Sequence, residues 1–493
     1  MTSRDRPKMS ERQRKISLKT KLSFSSGSLE EAMITAASVA TMIFYNQVLG
    51  VSAALCGTVF LIASLVDAVS DPLVGALSDS VNTQWGRRHP FMFLSAFPMG
   101  LFFYALYQPP TGLSEFQLFL WFTAMLIGLR LAKTFYAVPH SALGAELTDD
   151  YDERTSVFGW NFAMYSIGSA ILGVFVLYVI FPSIEGVDNG LLREDRYSLL
   201  AAFGGVFVTA VILFCTFMTA DQIPYLHDSK TVGERTKENF TSFLKDTLGN
   251  LWVLAHNPSY ISVCACWLIL AICGGLVTVV STYTFIYAFE FSTEEIAIRG
   301  LIALPGAFLG VIFSRWLVKI FDKKYTVILT ILVTAFLIAL PFCLRLLGWF
   351  PENGTIWTLL AFFAIWTPAL IFLPVIPIVI DSQLVDITDE HELETGNRSE
   401  GVIFSIRTFA IKMTSGLGGL IGGFGLELIN FPENASAETL EPAVIDGLLW
   451  MMGPAYLAII YVGLGFAFLY RIDRKRHQEI IEALELRRTD SAA

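Results

Sequence analysis

Charged residues are scarce in this sequence. Asp, Glu, Lys and Arg together make up 16% of the 493 residues, whereas hydrophobic residues make up 54%, and soluble domains carry about 25% charged residues. Apolar stretches of the roughly 20 residues that a transmembrane helix needs recur along the whole chain, which also excludes one anchor on a soluble domain. The composition predicts a polytopic membrane protein, and nothing in it indicates nucleic acid as a partner.

Motifs for metal binding, nucleotide binding and secretion are also missing. The six cysteines form no CxxC pair and no Cys/His cluster with metal-ligand spacing, so we interpret them as packing residues. No GxGxxG or Walker spacing occurs, which disfavours an ATP-driven pump. The basic stretch from Arg4 to Lys21 has no short apolar core, so we expect no cleaved signal peptide. We therefore predict neither an enzyme nor a bound cofactor, apart from an ion that the protein carries.

Apolar runs between polar breaks predict about twelve transmembrane helices. They lie near 29–49, 52–78, 90–108, 116–146, 156–181, 198–220, 259–289, 296–318, 325–347, 355–381, 400–429 and 446–470. We predict five regions: a basic N-terminus (1–28), a six-helix bundle (29–220), a central loop (221–257), a second six-helix bundle (258–471) and a tail (472–493). This all-α layout resembles the major facilitator superfamily.

Basic residues predict the orientation in the membrane. Lys and Arg are retained in cytoplasmic loops, and most of them here fall on one side: in the N-terminus, the central loop, the turn at Lys323 and the tail from Arg471. We therefore expect both termini in the cytoplasm of a cell whose inner membrane the chain spans.

The second predicted helix carries two acidic residues at membrane depth. Asp67 and Asp71 are four residues apart, so they share a helix face, and Ser70 adds a hydroxyl. Hard cations prefer oxygen ligands, so this set predicts a site for sodium at Asp67 and Asp71, or for a proton that the two acids share. The alternative is a structural salt bridge to a neighbouring helix, and we favour the ion site because acids are rarely kept at such depth without a function.

Basic residues inside other predicted helices supply partners for these acids or for a solute. Arg130 and Lys133 lie on the fourth helix, and Arg407 and Lys412 lie on the eleventh, next to Thr408. Their charge predicts an anionic group on the solute, unless Arg130 or Arg407 pairs with an acid near a helix end, such as Glu146, Asp381 or Glu400. His140 on the fourth helix is either a satisfied polar contact or a ligand of the solute or a proton.

The loop after the second helix reads Trp85-Gly86-Arg87-Arg88, and a similar basic turn follows the eighth helix. This repetition indicates either duplicated halves or the general enrichment of basic residues in cytoplasmic turns. We expect Trp85, Gly86, Arg87 and Arg88, together with Arg154, to form the gating loop. The acidic cluster that contains Arg154 is interpreted as a solvated loop or as a partner of Arg87.

Four motifs carry a family resemblance: Asp67-Ala68-Val69-Ser70-Asp71-Pro72, Trp85 to Pro90, Val138 to Leu143, and Asp389 to Gly401. In this order they resemble the glycoside-pentoside-hexuronide:cation symporters, the group of the melibiose carriers. The resemblance implies a sodium or proton site formed by Asp67, Ser70, Asp71 and Thr134, with Lys412 linking the ion to the sugar.

The sugar-binding positions depart from the melibiose carriers. The carboxylates that hold galactosides there correspond to Ala32 and Ala137, the tryptophan corresponds to Ser141, and an arginine corresponds to Phe162 beside Asn161. The segment Val138 to Leu143 also resembles sodium-dependent lysophospholipid carriers, which implies an alternative solute.

We therefore predict a monomeric secondary symporter that imports a sugar, glycoside or sugar acid with sodium or a proton. A lysophospholipid or other amphiphile is the alternative solute, and a passive channel or a sensor is the rival function. The candidate substrate-binding residues are Arg130, Lys133, His140, Ser141, Asn161, Arg407 and Thr408.

Overall fold

A computed structural model describes residues 15–81, 83–148, 150–184, 189–226, 254, 256–395, 403, 416–436 and 439–492. The chain divides into two compact units. Unit 1 comprises Met1–Lys237 with the short segments Phe291–Leu301 and Pro432–Ala435, and unit 2 comprises Glu238–Glu290, Ile302–Phe431 and Ser436–Ala493.

The described residues are mainly helical. Before the central loop the helices are α1 Leu18–Ser26, α2 Leu29–Ile43, α3 Ala53–Ser80, α4 His89–Leu106, α5 Glu115–Glu146, α6 Tyr151–Phe175 and α7 Glu194–Met218. After it they are α8 Pro258–Tyr283, α9 Thr293–Leu346, α10 Ile356–Phe372, α11 Val375–Thr395, α12 Gly416–Leu428, α13 Pro442–Trp450, α14 Tyr456–Ala467 and α15 Arg474–Ala492. Short π-helical turns extend α2, α6 and α8 and join α13 to α14.

The N-terminal ends of the helices that carry the site are capped by polar side chains. Ser52 accepts a hydrogen bond from the amide of Leu55 at the start of α3. Ser114 and Gln117 form a reciprocal capping box at the start of α5. Each cap satisfies amide groups that the first helical turn leaves without a partner, which fixes where these helices begin.

Nine helical stretches of the described chain are long and apolar enough to cross a membrane. One of these stretches, Phe308–Leu346, overlaps two predicted spans, so the nine stretches account for ten predicted spans. The other two predicted spans correspond to α2, which carries two acids in its first turn, and to α12, a shorter apolar helix. The structure thus agrees with twelve predicted membrane helices.

The predicted eighth and ninth spans form one helical segment, α9, with a sharp break at Asp322. The backbone of Asp322 has φ 65° and ψ 164°, which ends the helical path between the two arms. Its carboxylate accepts hydrogen bonds from the amides of Lys323 at 2.6 Å and Arg474 at 3.0 Å. These two hydrogen bonds, one from the next residue and one from α15, stabilise the positive φ of this non-glycine residue.

Part of the predicted N-terminal region is an ordered element of unit 1. Helix α1 begins after Ser17, whose side chain accepts a hydrogen bond from the amide of Thr20, and it packs against α6 and α7. Lys21 forms an ion pair with Glu153 at 2.8 Å. Hydropathy does not predict α1, because its buried positions include serines, Thr20 and Lys21 and its apolar content is low.

The segment Phe291–Leu301 packs within unit 1 through side-chain hydrogen bonds. Glu294 accepts from the amide of Ser183 at 2.9 Å and from its hydroxyl at 2.7 Å. The hydroxyl of Thr293 accepts from the amide of Gly190 at 2.7 Å. Burial acts to raise the pKa of Glu294, but hydrogen bonds from Ser183, from Ser292 and from its own main-chain amide together outweigh it, so the pKa is lowered.

Candidate functional site

Asp67 and Asp71 lie one turn apart on α3, inside unit 1. The Asp67 and Ser70 residues are buried, 9% and 7% exposed respectively. The hydroxyl of Ser70 donates to the main-chain carbonyl of Asp67 at 3.4 Å. Carboxylates in these surroundings need donors or counter-charges, and the neighbouring helix α5 provides both.

Thr134 on α5 contacts both Ser70 and Asp71, which follow Asp67 on α3. Its hydroxyl donates to Asp71 Oδ1 at 2.9 Å, and the hydroxyls of Ser70 and Thr134 are 3.3 Å apart. Thr134 is 4% exposed. The structure therefore brings together Ser70, Asp71 and Thr134, which supply a carboxylate and two hydroxyl oxygens close to Asp67.

Arg130, one turn before Thr134 on α5, forms a salt bridge with Asp67. Its Nη1 lies 2.8 Å from Asp67 Oδ2, and the two side chains are 26% and 12% exposed. Asp67 is thus neutralised by a guanidinium in this structure. Asp67 therefore forms a salt bridge, as the alternative interpretation held, while Asp71 lies among hydroxyl groups and the ion site stays a prediction.

Two acids at the start of α2 extend this cluster and were missing from the sequence prediction. Glu31 forms an ion pair with Lys133 of α5. Glu30 is 3% exposed, and its Oε2 has no hydrogen-bond partner among the described residues. The signal that could have revealed them is the one applied to Asp67: an acidic pair within a predicted span. The resemblance to the melibiose carriers placed the expected acidic position of this helix at Ala32, next to Glu31.

Glu30 and Glu31 change the charge balance that the sequence predicted. In the described part of unit 1 the cluster contains four acids (Glu30, Glu31, Asp67, Asp71) against two bases (Arg130, Lys133). Arg407 and Lys412, which the expected excess of positive charge also counted, lie outside the described residues, so that expectation stays a prediction. Arg130 does pair with a carboxylate, as the alternative held, but with Asp67 and not with Glu146.

His140 is held in a packing contact between α5 and α1. Its Nε2 donates to the main-chain carbonyl of Phe24 at 2.9 Å, which requires the proton on this nitrogen. Its ring stacks on Phe24 at 4.3 Å between centroids. The side chains of His140, Tyr136 and Cys215 all converge on Gly27, where a β-carbon would clash with them. The geometry matches the interpretation of His140 as a satisfied polar contact.

The two remaining candidates in unit 1 differ in their surroundings. Ser141 is exposed. Asn161 on α6 has a buried Oδ1 without a hydrogen-bond partner in the described chain, and its main-chain carbonyl accepts from Ser28 at 3.2 Å. Asn161 thus lies beside the start of α2, on the helix that packs against it.

The loop Trp85–Arg88 is tied to the ends of α3 and α5. Arg88 Nη2 lies 2.6 Å from Asp79 and 2.8 Å from Glu146, and Arg87 lies 3.0 Å from Glu146. Gly86 has φ 75°, a left-handed conformation that suits glycine in this turn.

The acidic partner of Arg87 is therefore Glu146, and not the cluster after α5 in which the sequence suggested a partner. Arg154 of that cluster donates to the carbonyl of Thr148 at 3.2 Å. Trp85 is half exposed and packs against Phe93 and Phe217.

Three predicted site residues lie outside the described residues: Arg407, Thr408 and Lys412. Among the residues that are described, no group of three or more His, Cys, Asp or Glu side chains could hold a metal ion. Any ion at Asp67 and Asp71 would need hydroxyl or main-chain oxygens in addition to the carboxylates.

Residues 23–474 match the family model described as MFS/sugar transport protein. The chain is 24% identical to the isoprimeverose transporter of Lactiplantibacillus pentosus, over 88% of this chain and 84% of that protein. It is 24% identical to the uncharacterized symporter YjmB of Bacillus subtilis (strain 168), over 96% of both chains. It is 22% identical to the glucuronide carrier protein homolog of Escherichia coli (strain K12), over 90% of both chains.

Solved structures of transporters share the fold. A bacterial homologue of the human lysosomal transporter Spinster aligns with a TM-score of 0.64 at 15% identity, over 92% of this chain and 95% of that chain. At this identity the likeness establishes the fold alone, the twelve-helix architecture of two six-helix halves.

Proposed function

Since this chain belongs to the glycoside-pentoside-hexuronide:cation symporters of the major facilitator superfamily, we propose that it carries a sugar or glycoside across the membrane with a sodium ion or a proton. The observation that carries this proposal is the set of buried Asp67, Ser70 and Thr134 with the half-buried Asp71, next to Arg130. Oxygen ligands of this kind suit sodium, and a carboxylate of the set can also accept a proton.

Asp67 provides the coupling between cation and solute. Its carboxylate is bound to Arg130 in this structure, and a cation that enters beside Asp71 draws on the same negative charge. Cation binding then weakens the salt bridge, because both partners compete for one carboxylate. The Thr134 hydroxyl, which donates to Asp71 here, can turn its lone pairs towards a cation. Arg130 becomes available to hydrogen-bond a solute.

The solute is a neutral polyhydroxylated molecule. The described cluster contains more acids than bases, so it repels an anion more than it attracts one. Within the described chain, Glu30 Oε2 and Asn161 Oδ1 are buried acceptors without donors, on helices that pack against each other. A buried acceptor without a partner carries an energetic cost, and a sugar hydroxyl that donates to it removes that cost.

The two six-helix halves expose the bound pair alternately to the two sides, as in related transporters. No bond of the solute is made or broken. We place the protein as a monomer in the inner membrane with both termini in the cytoplasm, because its basic residues concentrate on one side. Lys412, Arg407 and Thr408 remain candidates for coupling and solute binding from the eleventh helix.

Binding experiments on the purified protein test this proposal. Neutral glycosides, uronates and lysolipids are titrated with and without sodium at fixed pH, and then at two pH values without sodium. We expect a neutral glycoside to bind more tightly with the coupling cation, and the cation to bind more tightly by the same factor with the glycoside, because linkage is reciprocal.

Asp71→Asn should abolish the mutual effect, while Asp195→Asn, at an exposed position of α7, should keep it. Binding of lysolipids alone would contradict a sugar solute, and binding of glycosides that neither sodium nor pH affects would contradict coupling.

A further inference from the structure

A basic pocket lies in unit 2, away from the acidic cluster of unit 1. The pocket has a volume of about 420 Å³ and is lined by the first arm of α9, by α11 and by the start of α15. Three cationic side chains surround it: Arg315 and Lys319 of α9 and Arg474 of α15. Arg315 and Lys319 are four residues apart, so they share one face of their helix.

Close helix packing adjoins the pocket along α9. Gly306 and Gly310 face the chain of α10 and the residues after it: a β-carbon at Gly306 would clash with the carbonyl of Leu370, and one at Gly310 would lie 2.8 Å from Pro374 Cβ. Small residues at this four-residue spacing let helices approach closely. One turn further on, Ser314 lines the pocket, and the break at Pro374 separates α10 from α11.

The cationic side chains of the pocket form no ion pair with a carboxylate of the described residues. In the described part of the chain, neither Arg315 nor Lys319 has an acidic group within ion-pair distance. Arg474 Nη2 donates to the carbonyls of Val318 at 3.1 Å and Lys319 at 3.4 Å, which fixes its guanidinium at the end of the α9 arm. Three cationic side chains that form no ion pair within the described chain can together bind an anion.

The surroundings of the pocket identify the source of that anion. The pocket also has apolar walls, Val318, Ile378 and Val379. Next to it on α9, Ile312 and Trp316 are exposed at 64% and 55%. In a membrane protein such residues contact lipid, and tryptophan is typical of the level of the headgroups. The anion therefore has acyl chains attached to it.

We propose that this pocket binds the phosphodiester headgroup of an anionic phospholipid, phosphatidylglycerol or cardiolipin. Arg315 and Lys319 contact the phosphate oxygens, Arg474 closes the rim, and the acyl chains lie along Ile312 and Ile378. The break at Asp322 and the basic residues around it place the pocket at the end of unit 2 that the charge distribution assigns to the cytoplasm. Basic pockets between helices on this side are suited to such headgroups.

Native mass spectrometry of the full-length protein tests the assignment. The wild type, Arg315→Gln/Lys319→Gln, Arg474→Gln and the control Lys475→Gln are titrated with cardiolipin, phosphatidylglycerol and phosphatidylcholine. Lys475 is exposed on α15 and does not line the pocket. We expect the wild type and the control to prefer the two anionic lipids, and each lost charge in the pocket to weaken that preference about fivefold. Equal thermal stability in neutral detergent establishes that the variants are folded.

Two results would overturn the proposal. One is a double variant that is folded and binds cardiolipin as the wild type does. The other is displacement of the anionic lipids by millimolar inorganic phosphate, which would assign the pocket to a free anion.

Discussion

The carboxylate of Asp67 can be neutralised in two ways, by Arg130 or by a coupling cation. In this structure Arg130 Nη1 is 2.8 Å away, and the two charges are mostly shielded from water, so removing one partner without a replacement leaves a costly unpaired charge. A cation that replaces Arg130 must compensate for this loss through Asp71, Ser70 and Thr134. This competition is the physical basis of the coupling that we propose.

Glu30 and Glu31 are adjacent in sequence, but their surroundings predict opposite responses to the same substitution. Glu31→Gln leaves Lys133 without its ion pair, so the free energy of unfolding should fall by about 1 kcal/mol or more at neutral pH. Glu30→Gln removes a buried carboxylate whose Oε2 has no partner among the described residues, so stability should be unchanged or higher.

Melting temperatures of the two variants in the same detergent measure this difference, and each serves as the control for the other. Equal losses in both variants would mean that Glu30 has a stabilising partner, and the proposed role of its free oxygen in binding a solute hydroxyl would be lost.

The segment Phe291–Leu301 depends on Glu294 for its attachment within unit 1. Two hydrogen bonds from Ser183 to a charged acceptor should contribute about 1–2 kcal/mol to that attachment. The lowered pKa of Glu294 means that this contribution is complete above the ordinary glutamate pKa of about 4.3. It is lost as the pH falls through the lower pKa of the folded state.

We therefore expect Glu294→Gln to lower the melting temperature at pH 7, and the difference from the wild type to shrink as the pH falls below about 4. The matched control is Glu295→Gln, because Glu295 accepts from Ser292 within its own segment and should change little. A difference that persists unchanged at low pH would contradict the role of the Glu294 charge.

Elements that depend on local pattern could be predicted from the sequence, and contacts through space could not. Apolar length located the spans, and the spacing of Asp67 and Asp71 located the acidic face of α3. The partner of Arg130 depends on how α3 and α5 pack, so Glu146 was as reasonable a candidate as Asp67. Helix α1 was missed because its buried face is made of small polar residues around Phe24, which hydropathy does not detect.

The scarcity of charge in this chain makes each buried ionic group informative. The described chain places its buried acids in two kinds of surroundings: Asp386 of unit 2 is bound by Lys323 at 2.7 Å and by Tyr470 at 2.8 Å, whereas Glu30 of unit 1 has an oxygen without a donor. A satisfied network such as the one around Asp386 stabilises structure, and a group with unused hydrogen-bonding capacity is available to a ligand.

Uphill accumulation in proteoliposomes tests the proposed coupling site most directly. Wild-type protein, Asp71→Asn and Asp195→Asn are reconstituted, a sodium or proton gradient is imposed, and uptake of the glycoside identified by binding is followed. Wild type and Asp195→Asn should accumulate the glycoside above the outside concentration until the gradient is collapsed, while Asp71→Asn should only equilibrate it. Accumulation by Asp71→Asn at the wild-type level, with the same ion dependence, would contradict a coupling site at Asp67, Ser70, Asp71 and Thr134.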